Sequence, residues 1–165
     1  MHISAAAVHD ILFVCTGNIC RSPMAEGQLK NLIEKDPVPG IKVTSAGLIA
    51  LPGNPASFNA VRVAQEHGIS LQDHGAQPLS SALVAQADLI LVMEPRQGQE
   101  ILARHPEASD KVLHLRYFAR YGSRERLISD PYGLSLEAYR FCWEDIRECV
   151  ESLHHWLLEA SRTNE

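Results

Sequence analysis

Four short runs of apolar residues, separated by stretches with helical spacing, constrain this chain more than any other feature. Ile11–Val14, Ile41–Val43, Asp88–Met93 and Val112–Leu115 read as strands. Met24–Glu34, Ser57–His67, a segment opened by Pro95 that holds Ile101 and Leu102, and Ser135–Glu159 read as helices. The last of these carries a stripe of Tyr139, Cys142, Ile146, Cys149, Leu153 and Trp156. Asp88–Met93, DLILVM, is apolar at successive positions, the pattern of a strand covered on both faces. The alternation predicts an α/β fold: a central, mostly parallel four-stranded sheet with helices on both faces, binding ligands beyond the carboxyl ends of its strands. The linkers at Pro37–Gly40 and Pro52–Pro55 are too short to separate domains, so residues 1–165 read as a single domain.

Charge and composition narrow the function. A formal net charge of −5 argues against a nucleic-acid partner and against broad electrostatic attachment to membranes, so any anion site must be local. The opening residues MHISAAAVHD lack the basic and apolar segments of a leader, and no stretch approaches the roughly eighteen apolar residues of a membrane span. A cytoplasmic protein without membrane insertion is expected. Its four cysteines, Cys15, Cys20, Cys142 and Cys149, are then thiols available for chemistry or for the core.

The stretch Ile11–Gly27, ILFVCTGNICRSPMAEG, runs from a strand through small polar residues into a helix. A loop in that position aims successive backbone N–H groups at one point and adds the positive end of the helix dipole, which makes a cradle for an oxyanion. Here Gly17 is expected to take the unusual backbone angles, Asn18 to hold the loop through its side chain, and Pro23 to fill the first helical turn. Helix N-termini and neighbouring cations favour thiolates, the form a nucleophilic Cys15 requires. Arg21 supplies a planar guanidinium able to hold two phosphoryl oxygens while the thiolate attacks phosphorus. Ser22 is placed to stabilise the departing thiolate. Near the other end of the chain, Asp130 in Ser129–Gly133, SDPYG, reads as a general acid that protonates a leaving phenolate and then takes a proton from water; Tyr132 reads as an aromatic wall.

At these residues the sequence resembles the low-molecular-weight protein tyrosine phosphatases. Val14–Glu26, VCTGNICRSPMAE, looks like the N-terminal signature of that family, and the likeness continues through Ser45–Leu48, Asp88–Glu94 and SDPYG. The resemblance implies Cys15 as nucleophile, Arg21 as phosphate clamp and Asp130 as general acid. It also implies Thr16, Gly17, Asn18, Ile19, Cys20, Ser22 and Ser45 as phosphate-binding and loop-supporting residues, with Ile19, Leu51 and Tyr132 as walls. Neither cofactor nor metal is implied, and His67 and His74 lack the further close ligands that would complete a metal site. Leu51, where many eukaryotic members carry an aromatic residue, makes the pattern similar to the bacterial branch paired with tyrosine autokinases of capsule or exopolysaccharide export. The implied partner is a phosphotyrosine protein, such as one of those autokinases, and the product is inorganic phosphate.

Rival readings share the loop. A protein-arginine phosphatase is distinguished chiefly by Thr at the position of Ile19. An arsenate reductase would need two further cysteines between the loop and Asp130, where this chain has none. A noncatalytic phosphotyrosine-binding module would not need Cys15, Arg21 and Asp130 together. Cys142 and Cys149 read as core residues, His74 as a hydrogen-bonded structural histidine, His154 and His155 as helix-surface residues, and the charge run Arg116–Arg126 as a solvated face. Gln77 stands where the family frequently has arginine, which suggests a missing ion pair. Cys20, in the same loop as Cys15, is a candidate partner for a regulatory disulfide.

Overall fold

The chain is described by a computed structural model covering residues 3–122 and 127–163. Its centre is strand β1 (Asp10–Cys15), flanked by β2 (Lys42–Gly47) on one side and by β3 (Leu89–Val92) and then β4 (Val112–His114) on the other. Every pairing is parallel, in the order β2-β1-β3-β4, so the sheet is four-stranded and wholly parallel.

The strand period of two sorts β1 between two cores. Ile11, Phe13 and Cys15 face α1 (Arg21–Lys35), α2 (Phe58–Glu66) and α5 (Leu136–Thr163), whereas Leu12 and Val14 face α3 (Ser81–Gln86) and α4 (Pro95–Arg104). Helices therefore cover both faces, as the alternation predicts. Because the chain leaves β1 to build outward first on one side and then on the other, the crevice beyond the carboxyl end of β1 is the topological switch point where such sheets bind ligands.

Several boundaries differ from the sequence reading. Helix α1 begins at Arg21 rather than Met24, with Pro23 in its first turn, where a missing N–H costs nothing. Strand β2 runs on past Val43 to Gly47, because its ladder with β1 continues until Cys15 lies opposite Gly47. Helix α3 was not expected; Ser80 caps it by accepting the Leu83 N–H at 3.2 Å.

Two surface assignments are corrected. His154 is only 7% exposed, packed in the face of α5 that holds Val150 and Leu158, and its Nε2 lies 2.8 Å from the Asp36 carbonyl. Arg116 is only 5% exposed: it sits in a 3-10 turn, Leu115–Phe118, between Asp145 and Glu148 of α5, and it donates to the Tyr121 carbonyl. Arg124 and Arg126 of the same charge run lie outside the described residues. Cys142 and Cys149 are buried in the α5 face of the core, where burial pushes both thiols up, Cys149 to about 12. No helix among the described residues is long and apolar enough to cross a membrane.

Candidate active site

Cys15 ends β1 and Arg21 opens α1, so the five residues between them form the whole connection from strand to helix. Asn18 makes that turn. Its φ is +57°, the only left-handed non-glycine backbone among the described residues, and its side chain is fully buried. The expectation that Gly17 supplies the unusual angles is therefore corrected: the strained position belongs to Asn18, a residue that tolerates this region when its side chain is locally bonded. Its amide satisfies three partners. Nδ2 donates to Ser22 Oγ at 2.8 Å and to Ser45 Oγ at 2.9 Å, and Oδ1 accepts from the Gln77 N–H at 3.0 Å. The Asn18 carbonyl meets His74 Nε2 at 2.6 Å, so His74 is the structural histidine expected.

The glycine that matters is Gly47, directly across the sheet. A Cβ there would come within 2.8 Å of the Thr16 carbonyl oxygen and 2.9 Å of the Asn18 nitrogen, so only glycine lets the loop lie against β2. Gln77 joins the same support instead of leaving a broken ion pair. Its side chain donates to the Ser45 carbonyl at 2.9 Å, and its own carbonyl accepts from the Gly47 N–H at 2.9 Å.

Around the thiol, the Asn18 N–H donates to Cys15 Sγ at 3.3 Å and Ser22 Oγ lies 2.9 Å from the same sulfur. Arg21 is 2% exposed, a position a cation tolerates only when it is paired and hydrogen-bonded. Nη1 donates to Glu94 Oε2 at 3.2 Å and to the Ile128 carbonyl at 2.8 Å, and Nη2 lies 3.6 Å from Asp130 Oδ2. Ile128, fully buried, also donates its N–H to the Met93 carbonyl, which ties the Asp130 segment to the end of β3. Asp130 itself is half exposed and accepts the Tyr132 N–H at Oδ1.

Cys20 is bonded on the side of α2 and α5. Its S–H donates to Ser57 Oγ at 3.3 Å, the Ser57 hydroxyl donates to the Tyr139 oxygen at 3.1 Å, and that oxygen lies 3.2 Å from Cys20 Sγ. Burial pushes the Cys20 thiol up, against the lowering effect of those hydrogen bonds, and burial raises the Tyr139 hydroxyl as well. A Cys15–Cys20 disulfide would remove the S–H that Cys20 gives to Ser57.

A cavity of about 270 Å³ collects these parts. Of the residues singled out in the sequence, Cys15, Thr16, Gly17, Ile19, Cys20, Arg21, Leu51, Asp130 and Tyr132 line it, while Asn18, Ser22 and Ser45 are buried outside its lining. The arrangement brings a thiol, a buried guanidinium and a half-exposed carboxyl group to one cavity. Residues 10–163 match the family described as "Low molecular weight phosphotyrosine protein phosphatase". The chain belongs to that family.

Among its members, the probable low molecular weight protein-tyrosine-phosphatase EpsP of Ralstonia nicotianae is 44% identical over 146 residues, covering 88% of this chain and 93% of its own. The structure of the YwlE arginine phosphatase from Geobacillus stearothermophilus matches with a TM-score of 0.87 at 34% identity, covering 95% of this chain and 97% of that one. Vibrio vulnificus Wzb in complex with benzylphosphonate matches with a TM-score of 0.80 at 36% identity, covering 90% and 99%.

Four further residues at or beside the cavity were not singled out from sequence. Ile49 and Asn54 line the cavity; Glu94 partners Arg21; Gln97 bridges the ends of two strands, accepting from the Met93 N–H at 2.8 Å and donating to Thr16 Oγ1 at 3.3 Å. The Glu-Pro pair after the buried strand was a usable signal for the last two, since Gln97 also accepts the Glu94 N–H at 3.2 Å at the start of α4.

Proposed function

We propose that this chain hydrolyses phosphotyrosine in proteins through a cysteinyl-phosphate intermediate, with Cys15, Arg21 and Asp130 as the catalytic residues. The observation that carries the reading is one cavity that joins Cys15 and Arg21 at its base to Asp130 and Tyr132 at its rim. Phosphoryl oxygens entering the loop meet its N–H groups and Arg21 Nη2, and so compete with Asp130 for the guanidinium. In the first step the Cys15 thiolate attacks phosphorus, the bond from phosphorus to the tyrosyl oxygen breaks, and the Asp130 carboxyl passes its proton to that oxygen. In the second step Asp130, now a carboxylate, takes a proton from the attacking water, the sulfur–phosphorus bond breaks, and Ser22 donates to the returning thiolate. Tyrosine leaves first and inorganic phosphate second.

Apolar walls favour an aromatic ester. Ile19, Ile49, Leu51 and Tyr132 surround the entrance, and Ile49, Leu51 and Tyr132 are largely exposed until something covers them. The name of EpsP and the benzylphosphonate held by Wzb agree with such a substrate. The resemblance to the bacterial branch paired with tyrosine autokinases supports a tyrosine-rich kinase segment of an exopolysaccharide or capsule export system as the physiological target.

A second reading has two observations behind it: the structural match to the YwlE arginine phosphatase and a sequence relative, the protein-arginine-phosphatase of Bacillus subtilis, 37% identical over 153 residues. Against it stands Ile19, an apolar side chain where a guanidinium-bearing substrate calls for a hydroxyl. The test is turnover of phosphotyrosine and phosphoarginine peptides under matched conditions. Faster cleavage of phosphotyrosine is expected; faster cleavage of phosphoarginine overturns the assignment.

A further inference from the structure

Asn54 lines the cavity on the connection from β2 to α2 that also supplies Ile49 and Leu51, and it is exposed. Its main chain is fully engaged. The Asn54 N–H donates to the Leu51 carbonyl at 3.1 Å, and its own carbonyl accepts the Ala76 N–H at 2.8 Å. The Gly53 N–H donates to the Ala76 carbonyl at 2.8 Å, which pins the turn just before it. The carboxamide, in contrast, meets no hydrogen-bond partner among the described residues. Neither usual reason for an asparagine in a turn applies here. One is a left-handed backbone, which among the described non-glycine residues belongs to Asn18 alone, and Pro55 holds residue 54 toward extended angles. The other is a bond from the side chain to the backbone of its own turn, and the Asn54 amide makes none. Two N–H donors and a carbonyl acceptor are thus left at the edge of the cavity with nothing in the chain to bind.

We propose that Asn54 is a specificity-determining residue that hydrogen-bonds the main chain of a phosphotyrosine peptide, its carboxamide pairing with a peptide N–H and C=O beside the phosphorylated side chain. The contact rests on the reading of phosphotyrosine proteins as substrates. A phosphoryl group held over Cys15, with its ring covered by Ile49, Leu51 and Tyr132, leaves the Cα end of that residue at the edge of the cavity, where Asn54 lies. Covering the ring also strips water from the adjoining peptide groups, and a peptide group left dry and unpaired opposes binding. A carboxamide repeats the donor and the acceptor of a peptide group, so it satisfies both without adding a charge. Asp130, on the other side of the cavity, is already engaged by Arg21 and by the Tyr132 N–H. Recognition of this kind is blind to sequence. Every phosphotyrosine in an accessible chain carries these groups, and a small aryl phosphate carries none.

Two substrates with the same ring isolate the contact. In p-cresyl phosphate the ring ends in a methyl group, whereas N-acetyl-phosphotyrosine N-methylamide carries a peptide group on either side of Cα; the two leaving phenols are closely matched in acidity. In the full chain, Asn54→Ala is expected to lower the ratio of kcat/KM, peptide derivative over p-cresyl phosphate, by about three- to tenfold, with the change carried by the KM of the peptide derivative. Asn54→Leu keeps the bulk of the side chain and removes the same polar atoms, and it is expected to give the same fall if the alanine variant does not fold. A ratio that stays at the wild-type value in a folded variant overturns the proposal, because a residue that only shapes the wall or holds the turn moves both substrates together. A wild-type chain that hydrolyses neither ester overturns the reading of the site as a tyrosine phosphatase, and the contact with it. Hydrolysis of both with an unchanged ratio overturns the contact alone.

Discussion

The two sides of the cavity are built on opposite plans. On the β1 side every polar atom of Asn18 is engaged, Ser22 and Ser45 are buried, and Gly47 leaves no room for the loop to shift. On the Asp130 side the segment is tied down through buried Ile128 and Pro131 and the Arg21–Asp130 pair, while Asp130, Tyr132 and Leu134 stand largely in solvent. Hydrogen bonds in a dry interior hold a geometry to fractions of an ångström and punish any unpaired member. Exposed side chains on one anchored strap hold no such geometry, but they can be exchanged without loss of the fold. The chemistry of phosphate thus resides where the chain is over-determined, and the choice of the group carrying the phosphate resides where it is not.

The largest expected effect comes from removing the nucleophile on the rigid side. Cys15→Ser should bind phosphate and lose turnover, because a serine hydroxyl at this position has no adjacent general base to activate it. Calorimetry with inorganic phosphate and assay with p-nitrophenyl phosphate check the two halves. Sustained steady-state turnover by the variant would end the covalent mechanism. A chelator should leave the wild-type rate intact, since the proposed steps use only side chains.

On the exposed side, Asp130→Ala should lower the rate by about 10²–10⁴, the usual range for general acid–base catalysis. The loss should shrink as the leaving group becomes more acidic, because a good leaving group needs no proton. A loss equal for every aryl phosphate would place Asp130 in support of Arg21, its neighbour at 3.6 Å, and not in proton transfer.

How far sequence reached follows the same division. The loop from Cys15 to Ser22 was legible because its residue types have few other uses in that order, although its supports at Ser45, His74 and Gln77 lie far along the chain. Strands β1 and β3 were legible because both of their faces are apolar. The end of β2 was not: Thr44, Ser45, Ala46 and Gly47 are small or polar, and they form strand because β1 offers a ladder, not because of propensity. Glu94 and Gln97 escaped notice as site residues since their partners lie 73 and 81 positions away, contacts that the Glu-Pro start of α4 marks only as a helix cap. His154 was misplaced by its neighbour His155, although Val150 and Leu158, four residues to either side, already marked its face as buried.

A smaller effect tests whether the β1 side is as unforgiving as its contacts suggest. Gly47→Ala places a methyl against the backbone at Thr16 and Asn18, where no side chain can swing aside. Overpacking of this kind costs about 1–3 kcal/mol, and here the cost should appear both as a lower denaturation midpoint and as weaker phosphate binding, because the atoms displaced are those of the cradle. If stability falls while phosphate affinity holds, the loop is less rigid than its hydrogen bonds imply, and the contrast between the two sides weakens.

The smallest expected effect concerns the wall between them. Ile19 belongs to the rigid loop by its backbone, whose carbonyl accepts the Ser57 N–H at 2.8 Å, yet its side chain lines the cavity. Phosphotyrosine carries its phosphorus at the end of a long flat ring, so a deep cradle reaches the phosphate while apolar walls cover the ring. Phosphoserine is too short to gain from both. Covering part of an aromatic face at roughly 25 cal/mol per Å² gives on the order of 1–2 kcal/mol, or about five- to thirtyfold in kcat/KM. Phosphoarginine brings a polar guanidinium to the same wall, and Ile19 can offer it no hydrogen bond. Ile19→Thr exchanges part of the apolar contact for a hydroxyl without touching Asn18, Ser22 or Ser45. The ratio of kcat/KM between phosphotyrosine and phosphoarginine peptides should therefore narrow, while phosphate affinity and thermal midpoint stay close to wild type. An unchanged ratio would show that Ile49, Leu51 and Tyr132 set the choice by themselves, which would assign selectivity wholly to the exposed side of the cavity.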